Sequence, residues 1–318
     1  MSSTAVPTGS QPPWYIYRQE FIARYRRFRV GWRLFRSHPL GIPGVVVILF
    51  FALMVVAQPI LMETVWDRRR YDPYVGYDID HAPHPAAPSP QHLLGTDAYG
   101  RDVLSQLFYG ARVSFRVGIA AAVVAVLLST VVGGAAGYFG GMMDTLLMGV
   151  SDVFVLMPAL VVLLIFGLLV RMDWVLIGLT YGILTGLGGQ AIVVKSHTLA
   201  LKSKPYIEAA RVGGGGDGHI VRVHILPGLM PIALVHAVMT VVGAVLTESL
   251  LAFFSRTQDY LSWGGMIWVG QGAFRLFSFG GQWNSILPPA LSIMLFCSAF
   301  YLVGRALDDV LNPRLRQR

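Results

Sequence analysis

The chain has 318 residues, of which 54% are hydrophobic and 13% charged, and its mean hydropathy is +0.58. Water-soluble domains carry about 25% charged residues and disordered chains are polar and charge-rich, so both classes are excluded and an integral membrane protein is indicated. The 25 Lys and Arg against 17 Asp and Glu leave a net charge of +8, which in a membrane protein marks basic cytoplasmic loops rather than nucleic-acid binding.

Residues 1–13, rich in Ser, Thr and Pro, are expected to be disordered. Over 14–38, Phe21, Tyr25, Phe28, Trp32 and Phe35 recur at helical spacing and fall within about 80° of one another on a helical wheel. Arg18, Arg26, Arg29, Arg33 and Arg36 share a neighbouring sector. An aromatic stripe beside an arginine face predicts an amphipathic helix lying in the cytoplasmic membrane interface.

A hydrocarbon core about 30 Å thick needs roughly 20 mostly apolar residues in a helix. Six stretches qualify: 40–62, 113–139, 145–170, 174–194, 228–254 and 284–304. No cleavable signal precedes the first, so 39–62 is expected to remain as a transmembrane helix. Residues 63–112 then form an extracytoplasmic loop, 113–307 a five-helix core, 195–227 a cytoplasmic loop within that core, and 308–318 a cytoplasmic tail. Arg171-Met172-Asp173 closes a tight hairpin between the third and fourth spans. Pro158 and Pro231 lie inside spans, where neighbouring helices can satisfy the backbone groups they free. With the N-terminus inside, 16 of the 25 basic residues fall on the cytoplasmic side, which places both termini there despite the Arg68-Arg69-Arg70 triplet outside.

The chemistry that is missing narrows the function. There is no Gly-Lys pair and hence no Walker A loop, so this chain cannot hydrolyse a nucleotide alone; neither HExxH nor GxSxG occurs. His81 and His84 belong to a Pro-rich loop without supporting Cys or carboxylate ligands, so no metal is expected. Cys297, the single cysteine, reads as a small buried hydrophobe. Ionisable residues near or within the spans are few: Arg116, Asp144 and Asp152 near span ends, His236 and Glu248 in the fifth span. The last two read as interhelical hydrogen-bond partners rather than a proton relay, which argues that any energy-driven step draws its energy from outside this chain.

The loop PYIEAARVGGGGDGHIVRVHILPGLMP, residues 205–231, is the most informative segment. Glu208-Ala209-Ala210 is followed by Gly214 and then by Leu226-Pro227, with nineteen positions from glutamate to proline. Small alanines let a short helix sit deep in a partner's groove, where Glu208 can accept hydrogen bonds, and Pro227 is expected to start the next span. This resembles the EAA loop of ATP-binding-cassette importer permeases, with His224 at the usual isoleucine position and Ile225 beside it. HLLGTDAYGRDVLSQLFYGARVSF, residues 92–115, resembles the signature of the dipeptide, oligopeptide and nickel permeases, C-type subunit, carried by Gly95, Thr96, Asp97, Gly100, Arg101 and Asp102. The segments 137–144, 152–158 and 287–316 fit the same subunit. Three departures stand out: the GGGG run, the absence of a Gly-Leu-Gly run after the fifth span, and Arg305 where aspartate is common.

The resemblance implies an all-α, six-span permease of the type I importer fold, with the N-terminal helix as its interfacial elbow helix, in a bacterial or archaeal inner membrane. It implies a homologous B-type permease, two cytoplasmic ATPases that bind ATP and Mg, and an extracytoplasmic solute-binding protein as partners. This chain itself would bind no cofactor. Glu208, Ala209, Ala210, Gly214, Leu226 and Pro227 would couple ATPase motion to transport. Peptides are the expected cargo, with oligosaccharides or nickel chelates as alternatives, and no substrate-binding residue is assigned. A stand-alone secondary carrier would need inverted repeats and a mid-membrane ion site, neither of which is visible; a scaffold or sensor subunit is the third class.

Overall fold

A computed structural model describes residues 29, 32–78, 80, 83–254, 260–276 and 283–311, and the described part is helical, without strands. Four helices are long and apolar enough to cross a membrane: α1 (Gly41–Thr64), α2 (Val103–Phe139), α8 (Asp217–Phe254) and α10 (Trp283–Leu311). Two bent pairs bring the possible crossings to six. α3 (Gly141–Leu156) and α4 (Ala159–Leu169) meet at 79°, and α5 (Trp174–Leu187) and α6 (Gly189–Lys202) at 43°. Two shorter helices are α7 (Pro205–Val212) and α9 (Trp263–Leu276).

The expected third span, 145–170, is thus broken. Pro158 is the cause: its ring disfavours helical backbone at the preceding residue, and Met157 is extended at φ −84°, ψ 111°. Pro231, by contrast, sits within unbroken helix. α2 begins ten residues before the apolar run at 113, because Asp102 caps it, its carboxylate accepting from the Ser105 N–H at 2.7 Å. α10 likewise continues to Leu311, into the segment expected as tail. The hairpin between the third and fourth spans is present, with Asp173 capping α5.

α2 is the centre of the bundle and packs on α1, α5, α6 and α8. Lipid chains are as apolar as leucine, so close approach rather than water exclusion holds such helices together. Gly178, Gly182 and Gly186 recur every fourth residue on α5 and face α2; a Cβ on Gly182 would lie 2.7 Å from the Ala121 carbonyl oxygen. An aromatic cluster joins α1, α2, α9 and α10: the Phe51 ring lies 5.4 Å from both Trp263 and Phe296, and Phe115 lies 5.0 Å from Phe296. The Trp263 indole N–H donates to the Leu107 carbonyl at 3.0 Å, and Cys297 is buried in the same cluster.

Of the amphipathic helix expected over 14–38, residues 14–28, 30 and 31 lie outside the described residues, as do 1–13. Residues 32–37 are helical, with Phe35 buried, Trp32 half exposed and their rings stacked at 5.9 Å. His81 and residues 312–318 also lie outside the described part.

Candidate functional site

The 205–227 segment folds as the short helix α7, a glycine turn and the first turns of α8. Pro205 opens α7 at a position where its missing N–H has no intrahelical partner to lose. Ile207 is buried, while Glu208 and Ala209 are exposed, Ala210 is half-buried and Val212 is 90% exposed. Ile207 packs with Tyr138 of α2, Val194 of α6 and Ile220, Ile225 and Leu229 of α8. One side chain therefore roots an otherwise solvent-facing helix in three long elements. Two polar contacts brace the same junction: the Tyr138 hydroxyl donates to Asp217 at 2.7 Å, and Lys202 Nζ donates to the Tyr138 carbonyl at 2.6 Å. Tyr138 was not singled out from the sequence, where it is one aromatic among many.

Gly214 has φ +85°. Its N–H donates to the Arg211 carbonyl at 3.0 Å, and the Gly215 N–H donates to the Ala210 carbonyl at 2.9 Å. This is the Schellman ending, in which a left-handed residue just past the helix returns two N–H groups to its last turn. The four-position step from Ala210 to Gly214 is thereby fixed by how a helix stops.

Pro227 does not start a helix, as the sequence reading expects: α8 begins at Asp217, ten residues earlier. A π-helical turn spans Val221–Ile225, and the Leu226 N–H reaches the Val221 carbonyl five residues back. A widened turn immediately before a proline makes room for a ring that would otherwise press on the preceding turn. Leu226 and Pro227 are both exposed.

The signature residues lie at the opposite end of α2 and build a compact polar knot. Gly95 (φ +75°) and Gly100 (φ +81°) make its turns. Asp97 Oδ1 accepts from the N–H groups of Tyr99 and Arg101 at 2.9 and 3.0 Å, and Asp97 Oδ2 pairs with the Arg101 guanidinium at 2.6 Å. Thr96 Oγ1 accepts from the Ala86 N–H at 2.8 Å and meets His84 Nδ1 at the same distance. Asp102 Oδ2 contacts His92 Nδ1 at 2.9 Å, and His92 Nε2 contacts Asp78 Oδ2 at 3.2 Å. Asp78 lies 3.7 Å from Arg70, so the basic triplet contributes a partner to this network. His92, buried between two carboxylates, has its pKa raised above the usual histidine value, chiefly by the Asp102 hydrogen bond and against the lowering effect of burial. His92 and Asp78 were not picked from the sequence; the one available signal was an Asp just ahead of a helix.

Thr96, Asp97 and Asp102 are buried and Arg101 is half-buried, so the polar side chains of this knot shape its turns and cap α2. Among the described residues no group of three His, Cys, Asp or Glu is placed to hold a metal ion. Glu248 is buried near the end of α8 and accepts from the Tyr260 hydroxyl at 2.9 Å, so it acts as a hydrogen-bond partner across the α8–α9 connection.

The family described as "Binding-protein-dependent transport system inner membrane component" matches residues 125–317. The dipeptide transport system permease protein DppC of Bacillus subtilis is 31% identical over 291 residues, covering 90% of this chain and 86% of that protein. The oligopeptide transport system permease protein OppC of Escherichia coli K12 is 32% identical over 289 residues, covering 89% and 90%. A putative peptide transport system permease protein of Brucella suis is 33% identical over 235 residues, covering 72% and 76%. With an all-helical membrane bundle, a matched permease domain and relatives aligned along nearly its whole length, the chain belongs to the family of binding-protein-dependent transport system inner membrane components.

Proposed function

We propose that this chain is the transmembrane permease subunit of an ATP-driven importer that takes di- and oligopeptides from a solute-binding protein. Peptides as cargo are supported by the names of the relatives, which are permease components of dipeptide and oligopeptide transport systems. The observation that carries the coupling role is the setting of α7. The helix is exposed along Glu208, Ala209 and Val212, and the buried Ile207 fixes it to α2, α6 and α8.

A partner that grips the exposed face of α7 therefore moves three long helices together, because a packed junction transmits displacement as a unit instead of absorbing it. In this reading, two ATPase subunits, which bind ATP and Mg, hold α7 in a groove, and their closure rocks the bundle between inward- and outward-facing states. The end of the bundle bearing 195–227 is then cytoplasmic, with both termini, as the basic-residue count supports. The signature knot faces the binding protein on the other side. The bent α3–α4 pair exposes Met142, Leu146, Val153 and Leu156, an apolar surface suited to a homologous B-type permease.

The test is vanadate-sensitive ATP hydrolysis by the complex copurified on this subunit, in nanodiscs, with and without binding protein loaded from a peptide library. Stimulation by the loaded binding protein is the expected result. Copurified ATPases without peptide stimulation would move the cargo to oligosaccharides or metal chelates; absence of any ATPase would overturn the reading in favour of a stand-alone carrier.

A further inference from the structure

Near the signature end of α2, two arginines sit one helical turn apart. Arg112 is half-buried and Arg116 exposed, and both line a groove of about 670 Å³ together with Val55 of α1, Ile119 and Ala120 of α2, and Trp174 of α5. Residues four apart on a helix share a face, so both guanidinium groups serve one groove. Each rests against an aromatic ring: Arg112 Cζ lies 5.9 Å from the centre of Tyr109, and Arg116 Cζ lies 5.2 Å from the centre of Trp174. Such a cation–π contact holds each guanidinium beside its ring without using up its N–H donors in an ion pair.

Among the described residues neither arginine makes an ion pair with a carboxylate. Asp173, next to Trp174 at the start of α5, is engaged as a cap, accepting from the Leu176 N–H at 2.8 Å. The groove thus carries two positive charges beside an aliphatic wall. Its depth is set by the sequence of α2: residues 117–139 contain no charged side chain, and at 1.5 Å per residue that run spans roughly the 30 Å hydrocarbon thickness. Arg116 immediately precedes it, and Trp174 at the same level is a residue type enriched at the membrane boundary.

We propose that this groove binds an anionic phospholipid, with Arg112 and Arg116 on the phosphodiester oxygens and an acyl chain lying along Val55, Ile119 and Ala120. Paired guanidinium groups match phosphate oxygens in geometry and charge, and the aliphatic wall accounts for a ligand that is half hydrocarbon. A free phosphate ion would use the arginines and leave that wall unused. The site rests on the membrane-spanning fold alone and stands whatever the cargo of the transporter is.

The test is native mass spectrometry of the full-length chain with its copurifying subunits, stripped of lipid and titrated with dioleoyl phosphatidylglycerol, dioleoyl phosphatidylcholine or inorganic phosphate. Phosphatidylglycerol is expected to bind the wild type in preference to phosphatidylcholine. Arg112→Gln/Arg116→Gln should lower its apparent affinity by about tenfold or more, and Arg112→Lys/Arg116→Lys by less, since charge remains and the fork is lost. Arg116→Gln alone, at an exposed position that burial does not constrain, should show a smaller loss in a protein that still folds. Unchanged retention in both glutamine variants would overturn the proposal. So would displacement of the lipid by inorganic phosphate at matched concentration, which would make this a free-anion site. Loss of a copurifying subunit with lipid binding intact would equally overturn it, assigning the arginines to a partner's carboxylate.

Discussion

His92 and Asp102 are joined by a 2.9 Å contact between Nδ1 and Oδ2, and both side chains are buried. The same carboxylate caps α2 through Ser105, so the histidine fastens the start of the central helix to the loop before it. Its other nitrogen meets Asp78, which lies beside Arg70, and the Tyr71 ring packs 5.6 Å away. A carboxylate on each nitrogen requires both to donate, which is the arrangement of an imidazolium.

The consequence is a pH dependence of known sign. A histidine whose folded pKa is raised contributes stability that is fully present below its unfolded pKa and is lost as pH rises through the folded value. The melting temperature of the purified protein should therefore fall as pH climbs past the usual histidine range of about 6.5. His92→Gln should flatten that slope and destabilise the protein by about 3 kcal/mol, since it removes the buried cation that bridges Asp78 and Asp102. Thermal unfolding followed by tryptophan fluorescence across this pH range checks both, and a slope unchanged in His92→Gln would place the titration elsewhere.

Glu208 and Ile207 are adjacent on α7, the first exposed and the second buried, and their substitutions should separate accordingly. Glu208→Lys reverses a charge on the exposed face, so uptake should be abolished while membrane insertion and melting temperature stay unchanged. Val212→Asp should act similarly, by placing a charge on a surface that docking would bury. Ile207→Asp puts a carboxylate into the junction of Tyr138, Val194 and Ile220, and should cost several kcal/mol, lowering the yield of folded protein. Uptake assays alongside size-exclusion profiles distinguish the two classes; normal uptake by Glu208→Lys would remove that residue from coupling.

The element types were legible in the sequence because transmembrane helices announce themselves by apolar length alone. Their ends and breaks were not. Apolar counting starts α2 at 113, since Arg101, Asp102 and Arg112 interrupt the run, yet the Asp102 cap draws the helix back to Val103. It also carries the third span through Pro158, where the backbone turns by 79°. The 205–227 segment was recognisable from the spacing of Glu208, Gly214 and Pro227, whereas the meeting of its Ile207 with Tyr138, which ties it to the bundle, joins distant parts of the chain and leaves no local pattern. His92 escaped notice for the same reason: its partners Asp78 and Asp102 flank it at separations that carry no periodic signal.

Gly182 tests the packing that holds α5 to α2. A Cβ there would lie 2.7 Å from the Ala121 carbonyl oxygen and 2.8 Å from Val124 Cβ, so the helices must separate to admit it. Gly182→Val should destabilise the bundle by about 1–3 kcal/mol, the usual range for an overpacked interior. Gly189→Ala, which would meet nothing within 4 Å, should be near neutral. Melting temperatures of the two variants in one detergent decide it; equal values would show that α5 and α2 do not depend on close approach.

Three of the four consecutive glycines divide by mechanism. Gly216 has φ −70° and open space for a Cβ, so Gly216→Ala should change little. A Cβ on Gly215 would lie 2.8 Å from the Ala210 carbonyl oxygen, a steric conflict with backbone. Gly214 has nothing within 4 Å, yet its φ of +85° is costly for any residue with a side chain. Gly214→Ala should therefore cost about 1–2 kcal/mol, and Gly214→Asn less, because asparagine tolerates left-handed backbone. That strain falls on the Schellman ending of α7, so the helix should fray at its exposed tip before the bundle melts. Limited trypsin cleavage at Arg211 reads this directly: faster cutting in Gly214→Ala than in Gly216→Ala is the expected order. Equal rates would mean that α7 holds its end by the Ile207 anchor alone.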